Sequence, residues 1–167
     1  MSKVFILFST LLLAGMAPLA GAEEKKASPA DGFTIHVQAP HVMEDGSVGG
    51  PFHHYCKPVS DELLQCLLFE STDPKAKLVA VEYFVAKQLS REIPLIMWHR
   101  HYHDHAVEIA TGRVQVLDLP AEQAKPIAEA AAKTDGIIFH LWQKGDKIPT
   151  GHVSFPQSVG HEFPRKD

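Results

Sequence analysis

Positive charge is scarce in this 167-residue chain: 16 lysines and arginines stand against 20 acidic residues, for a net charge of −4 with histidine neutral. A nucleic-acid binder needs a basic excess or a basic stripe to displace counterions from phosphates, so nucleic acid is excluded as a partner. The sequence also has no nucleophile elbow, no phosphate-cradling glycine loop and no dinucleotide fingerprint, which removes the commonest hydrolase and nucleotide-dependent readings. No internal repeat is visible. Beyond residue 22 no apolar run is long enough to span a bilayer. Cysteine is limited to Cys56 and Cys66, and a chain of this length buries enough surface to fold without a disulfide. The hydrophobic fraction of 45% and charged fraction of 22% are those of an ordinary globular domain and argue against wholesale disorder.

The first residues read as a targeting segment. Lys3 supplies a minimal positive start, Val4 to Leu13 is apolar apart from Ser9 and Thr10, and Ala20-Gly21-Ala22 resembles a cleavage site ahead of Glu23-Glu24-Lys25-Lys26. Residues 1–22 are therefore expected to be a signal peptide, and the protein to be exported, periplasmic or secreted. The alternative is a retained anchor, but the stretch is short and interrupted by Gly15, Pro18 and Gly21. Residues 23–32 are polar, carry Pro29 and Gly32, and read as a flexible leader.

The rest of the chain predicts one α+β domain with a mostly antiparallel sheet and a few short helices. Phe33 to Ala39 alternates as a first strand. Glu44 to Pro51, with three glycines and a proline, predicts a flexible loop. Leu63 to Glu70 and the β-branched, aromatic run Leu78 to Val85 predict two strands joined as an antiparallel hairpin by the turn at Asp73-Pro74. Gln88 to Trp98 is partly helical, with Pro94 near a helix start. His105 to Leu117 predicts strands around a Thr111-Gly112-Arg113 turn. Asp118 to Asp135 predicts helix, with Asp118 near the cap, Pro120 near the first helical position, Pro126 splitting it in two and Gly136 ending it in the left-handed region. Ile137 to Trp142 is a further strand, and the tail from Lys144 is irregular.

What the chain has in excess is histidine, 11 residues in all. The segment W-H-R-H-Y-H-D-H-A-V-E places His99, His101, His103 and His105 at every second position, followed by Glu108. On a strand the four imidazoles share one face, about 6.6 Å apart as neighbours. The spacing H-x-H-x-x-E over His103, His105 and Glu108 suits a two-histidine, one-carboxylate site for zinc, iron or manganese. On a helix His101, His105 and Glu108 share a face instead. A solvated histidine-rich edge without a site is the plain alternative.

Other residues bear on the same question. In F-H-H-Y-C, His53 and His54 face opposite ways on a strand, so one of them supplies a distant ligand or both pack a loop. Glu82 interrupts an otherwise apolar run; it is either a buried carboxylate that needs a partner or an exposed residue on an outer face. Cys56 and Cys66 form a disulfide, worth about 2–3 kcal/mol for so short a loop, or remain buried thiols, one of them a ligand. Trp98 and Trp142 read as core and His140 as a satisfied sheet histidine. His36, His41, His152 and His161 read as structural or surface residues.

Several blocks in order carry a family resemblance: His53-His54-Tyr55-Cys56, Gln65-Cys66, Val81-Glu82-Tyr83, His103-Asp104-His105-Ala106-Val107-Glu108 with Gly112, and Trp142-Gln143 before Gly145-Asp146 and Pro149-x-Gly151. Together they resemble the oil body-associated proteins of seed plants and their bacterial relatives, a domain family of unknown function. The resemblance covers residues 33–156, leaving 157–167 as an irregular tail. It implies that His103, His105, Glu108, His53-His54 and Glu82 are shared features, whereas His99 and His101 are extras. It also implies association with oil bodies, from which this chain departs by its export signal and enlarged 46–51 loop. Because relatives in a reducing compartment share the cysteine pair, the thiol reading of Cys56 and Cys66 stays open beside the disulfide.

Two functions are thereby expected. One is a divalent-metal-binding domain in which His103, His105 and Glu108 hold the ion, joined by His54 or Glu82. The other is a non-enzymatic lipid- or envelope-associated protein with peripheral lipid contact. A pH-sensing role for the histidines is a third reading. No motif specifies a reaction.

Overall fold

The computed structural model describes residues 28–162; the expected signal peptide and the last five residues lie outside the described residues. The elements run β1 (Ile35–Val42), β2 (Val48–Ser60), β3 (Leu63–Phe69), β4 (Leu78–Ala86), α1 (Lys87–Ser90), α2 (Leu95–His101), β5 (Tyr102–Asp104), α3 (His105–Ala110), β6 (Gln115–Val116), α4 (Ala121–Ala131), β7 (Thr134–His140) and β8 (Gln157–Ser158). One curled sheet takes the order β5-β7-β4-β3-β2-β1-β6, with β8 also on β1. Every pairing is antiparallel. The fold is thus α+β with a mostly antiparallel sheet and short helices, as the sequence pattern predicts.

Period-two patterning builds the inner face. In β4 the side chains of Ala80, Glu82 and Phe84 are buried while Val81, Tyr83 and Val85 are partly exposed. Their neighbours across the ladders, Cys66 on β3 and Ile138 on β7, lie opposite Glu82. Cys56, Cys66, Leu68, Ala80, Phe84 and Ile138 form the apolar core; full burial of a Leu, Phe or Ile side chain contributes about 1.5–3 kcal/mol. Cys56 and Cys66, directly opposed in the β2–β3 register, are joined by a disulfide.

The predicted β3–β4 hairpin is present. Elsewhere tertiary context overrides local signals. Of the predicted 44–51 loop, only Glu44 to Ser47 lie outside strands; Val48–Pro51 open β2 and pair with the end of β1. Gly50 permits this by taking a φ of 92°, a region closed to most residues. Of the strands predicted over His105 to Leu117, the first is replaced by helix α3, because the Asp104 side chain accepts the Ala106 backbone N–H at 2.8 Å and caps it; the turn at Thr111-Gly112 and the second strand, as β6, are present. Helix α4 runs unbroken through Pro126; its alanines favour helix strongly enough to absorb one lost hydrogen bond. Pro120 caps that helix, and Asp118 stands outside it with a φ of 62°. Gly136 does not end a helix but lies within β7, where the crowded inner face admits no side chain. The tail is not wholly irregular, since Gln157–Ser158 pair with β1.

Candidate metal centre

The site forms where the inner faces of β1, β2, β4 and β5 meet the start of α3. Glu82 lies at its middle and is 1% exposed. Its Oε1 is 3.2 Å from Nε2 of His103 and 3.2 Å from Nε2 of His105. Its Oε2 is 3.0 Å from Nε2 of His54. Oε2 of Glu108 is 3.8 Å from His103 Nε2. Donor atoms of Glu82, His103 and His105 all lie within 4.8 Å of one another, and so do those of His41, His54 and Glu82. All six residues are buried.

Local structure aims these groups. The Asp104 cap starts α3 at His105, so His103 projects from strand and His105 and Glu108 share a face one helical turn apart. Lys87 Nζ at 2.6 Å and Arg91 Nη2 at 3.0 Å hold the Asp104 carboxylate. Arg91 also reaches Asp135 on β7, through Nε at 3.3 Å, and the Asp135 carboxylate accepts from Ser90 Oγ at 2.6 Å and Trp98 Nε1 at 2.9 Å. This network ties α1, α2, β5 and β7 into one support. Gly136 then passes directly under the centre: a Cβ there would lie 2.5 Å from Glu82 Oε1 and overlap the His103 ring.

Hydrogen bonds on the far side of two rings settle their tautomers. The Thr134 hydroxyl donates to the Ala131 carbonyl at 2.7 Å, so its oxygen accepts from His105 Nδ1–H at 2.8 Å. His54 Nδ1 lies 3.0 Å from the Phe52 carbonyl, which only accepts. Both rings therefore carry a proton on Nδ1 and turn Nε2 toward the same carboxylate. A neutral ring would there set a nitrogen lone pair against a carboxylate oxygen, so each contact needs either a second proton or a cation between the atoms. Outer partners of this kind are what orient metal-ligating histidines.

The electrostatics match. Burial pushes the Glu82 pKa upward, but hydrogen bonds from His103, His105 and His54 outweigh it and hold the carboxyl well below its usual range. Burial lowers the His103 pKa, yet Glu82 and Glu108 prevail and the net shift is upward. Burial raises Glu108. Burial, reinforced by His54, drives His41 well down. Nδ1 of His103, Nδ1 of His41 and Oε1 of Glu108 are buried without a hydrogen-bond partner, an expensive state for polar atoms. The donor set fits a divalent ion: with bonds of about 2.1 Å, ligand atoms 90–109° apart lie about 3.0–3.4 Å from each other, which brackets the 3.0 and 3.2 Å contacts on Glu82.

The structure thus brings His54, Glu82, His103, His105 and Glu108 together. Apart from His41, it sends the other histidines elsewhere. His99 and His101 lie on α2, where His99 contacts His161 at 3.1 Å and His101 packs on Phe155; the four-histidine ladder does not form. His53 faces away and meets His36 at 3.0 Å, which in turn contacts Asp118 at 2.6 Å. His140 is held through Nδ1 to the Trp142 carbonyl at 2.6 Å, but its Nε2 has no partner. His41, read as structural or surface, stands in the site. Strand alternation through Val37 and Ala39 was the signal for it, obscured by Pro40, which ordinarily ends a strand reading.

A sequence model of the family described as "Protein of unknown function (DUF1264)" matches residues 27–164. The chain is similar to Oil body-associated protein 1B of Arabidopsis thaliana, 32% identical over 101 residues, 59% of this chain and 42% of that protein. It is 34% identical over 113 residues to Oil body-associated protein 2C of Arabidopsis thaliana, covering 65% and 47% of the two chains. It is 30% identical over 104 residues to Oil body-associated protein 1A of Zea mays, covering 59% and 42%. The chain therefore spans less than half the length of these curated relatives. No solved structure matches it.

Proposed function

The chain belongs to the DUF1264 family of proteins of unknown function, and we propose that it binds a divalent metal ion through His103, His105, Glu82 and Glu108, beside His54. One observation carries the reading: Thr134 and the Phe52 carbonyl fix two tautomers so that buried Nε2 atoms converge on the Glu82 carboxylate. Without a cation the same tautomers call for a second proton at each of the His54 and His105 contacts in a dry interior, which burial opposes. Nitrogen and oxygen donors without thiolate suit zinc, iron(II) or manganese(II). Glu108, with its free Oε1, is positioned as a second carboxylate ligand or as a base beside a bound water. Elemental analysis of protein purified without a histidine tag tests the reading. About one tightly held ion per chain is expected, and an unchanged metal content in the His103→Ala, His105→Ala double variant overturns it.

We propose separately that the protein is exported. The Cys56–Cys66 disulfide suits an oxidising compartment, in keeping with the export pattern of residues 1–22. Fractionation of expressing cells should recover it from the exported fraction; complete retention with cytosolic markers contradicts this.

Peripheral lipid contact is a second reading, favoured by the first turn of α2. Leu95, Ile96 and Met97 are 41%, 53% and 41% exposed in sequence, and several relatives are named for oil bodies. Co-flotation with zwitterionic and anionic liposomes, abolished by Ile96→Glu, is the expected outcome. Absence of flotation with either composition removes this reading.

A further inference from the structure

We propose that the centre holds two divalent ions bridged by the Glu82 carboxylate, the second ion seated on His41, His54 and Glu82. The inference rests on the metal-binding reading and extends it from one ion to two. Its basis is the way Glu82 divides its oxygens. Oε1 faces His103 and His105, each at 3.2 Å, whereas Oε2 faces His54 at 3.0 Å. The two triads, each with donor atoms within 4.8 Å of one another, share Glu82 alone.

They also reach Glu82 from opposite ends of the sheet. His103 and His105 come from β5 and α3, beyond β7, while His41 and His54 come from β1 and β2, beyond β3. Oxygens of one carboxylate that serve separate ions match the geometry of two-metal centres, whose ions stand about 3.5–4 Å apart. On the β1–β2 side His54 has its Nδ1 committed to the Phe52 carbonyl, leaving Nε2 for a ligand bond. His41 is fully buried, stacks on Phe52, and has an Nδ1 without a hydrogen-bond partner. His140 packs against the same Phe52 from another side and likewise keeps a buried, unpartnered Nε2. Buried imidazole nitrogens without partners are costly, and His41 offers a ring nitrogen within 4.8 Å of the donor atoms of His54 and Glu82.

Charge orders the two sites. The first ion has both Glu82 and Glu108 beside it, whereas the second shares only the Glu82 bridge with neutral imidazoles. The second site is therefore the weaker and empties first on chelation.

Chelator-stripped full-length protein, without a histidine tag, is titrated with Zn²⁺ and separately with Mn²⁺. Bound metal is counted after gel filtration, and the Mn²⁺ form is read by electron paramagnetic resonance. Two ions per chain in two affinity steps are expected, with an exchange-coupled manganese signal. His41→Phe and His41→Gln, checked for folding by near-ultraviolet circular dichroism, are expected to hold one ion each and to lose the coupled signal. One ion in the parent protein, or two in a folded His41 variant, overturns the second site while leaving the metal reading intact. No bound ion in the parent protein overturns the metal reading and this inference with it. The parent stoichiometry and coupling decide the matter even where both variants fail to fold.

Discussion

Gly136→Ala is the most economical perturbation of the centre, because it adds one methyl group and removes no ligand. The glycine sits in β7 with ordinary extended backbone, so alanine meets no conformational barrier. Loss of unfolded-state freedom alone would make the variant more stable by about 0.4–1 kcal/mol. The interior says otherwise. The added carbon falls 2.5 Å from Glu82 Oε1 and also meets the His103 ring, whereas ordinary contact begins at 3.4 Å. Relief of the Glu82 contact alone requires a displacement of about 0.9 Å (3.4 − 2.5), far beyond the roughly 0.2 Å tolerance of ligand bonds. Overpacking costs about 1–3 kcal/mol, so the net destabilisation is about 0–2.6 kcal/mol after the gain of about 0.4–1 kcal/mol, and metal affinity should fall about 10–100-fold, the scale of lost ligand orientation. A competitive zinc-chelator titration with a parallel denaturant melt measures both. Unchanged affinity together with equal or greater stability would show that Glu82 and His103 do not form a tightly constrained centre.

Three further outcomes are expected. Thr134→Val removes the acceptor for the buried His105 Nδ1–H and should weaken zinc binding about 10–100-fold, read by chelator competition, with about 1–3 kcal/mol lost from stability. Burial and the nearby His103 and His99 lower the His161 pKa to about 4. The unfolded chain therefore takes up the proton first, and stability declines as pH falls from about 6.5 to about 4; the decline, about 1–2 kcal/mol after allowance for solvent screening, should flatten in His161→Gln when melts are compared across that range. Replacing Cys56 and Cys66 together by alanine should cost about 2–3 kcal/mol from loop entropy, measured by urea unfolding; a midpoint equal to the parent's under non-reducing conditions contradicts the bridge.

Much of the sheet was legible because stretches of its inner face alternate, as Ala80, Glu82 and Phe84 do on β4. That alternation is also why Glu82 stood out: a carboxylate in an apolar run must be either exposed or partnered, and the central position of β4 makes it buried. The His103–Glu108 spacing was legible as a set of ligand types but not as a shape. Strand and helix readings each described half of it, since the chain changes conformation at Asp104, whose capping bond depends on one side-chain rotamer. His41 and the supporting pair Thr134 and Asp135 were hidden for a different reason. Pro40 argues against a strand, yet β1 shifts register between Ala39 and His41 and continues. The alanine-rich run before Thr134 extends a helical pattern past the point where β7 begins. In both cases ladder pairing between distant segments decides the outcome, and no local window contains that information.

X-ray absorption at the zinc edge of untagged, zinc-loaded protein tests the central claim most directly. The account predicts a first shell of nitrogen and oxygen at about 2.0–2.2 Å with the outer-shell scattering of imidazole rings, and no sulfur at about 2.3 Å. A shell without imidazole scattering, or protein that retains no zinc through gel filtration, would contradict it.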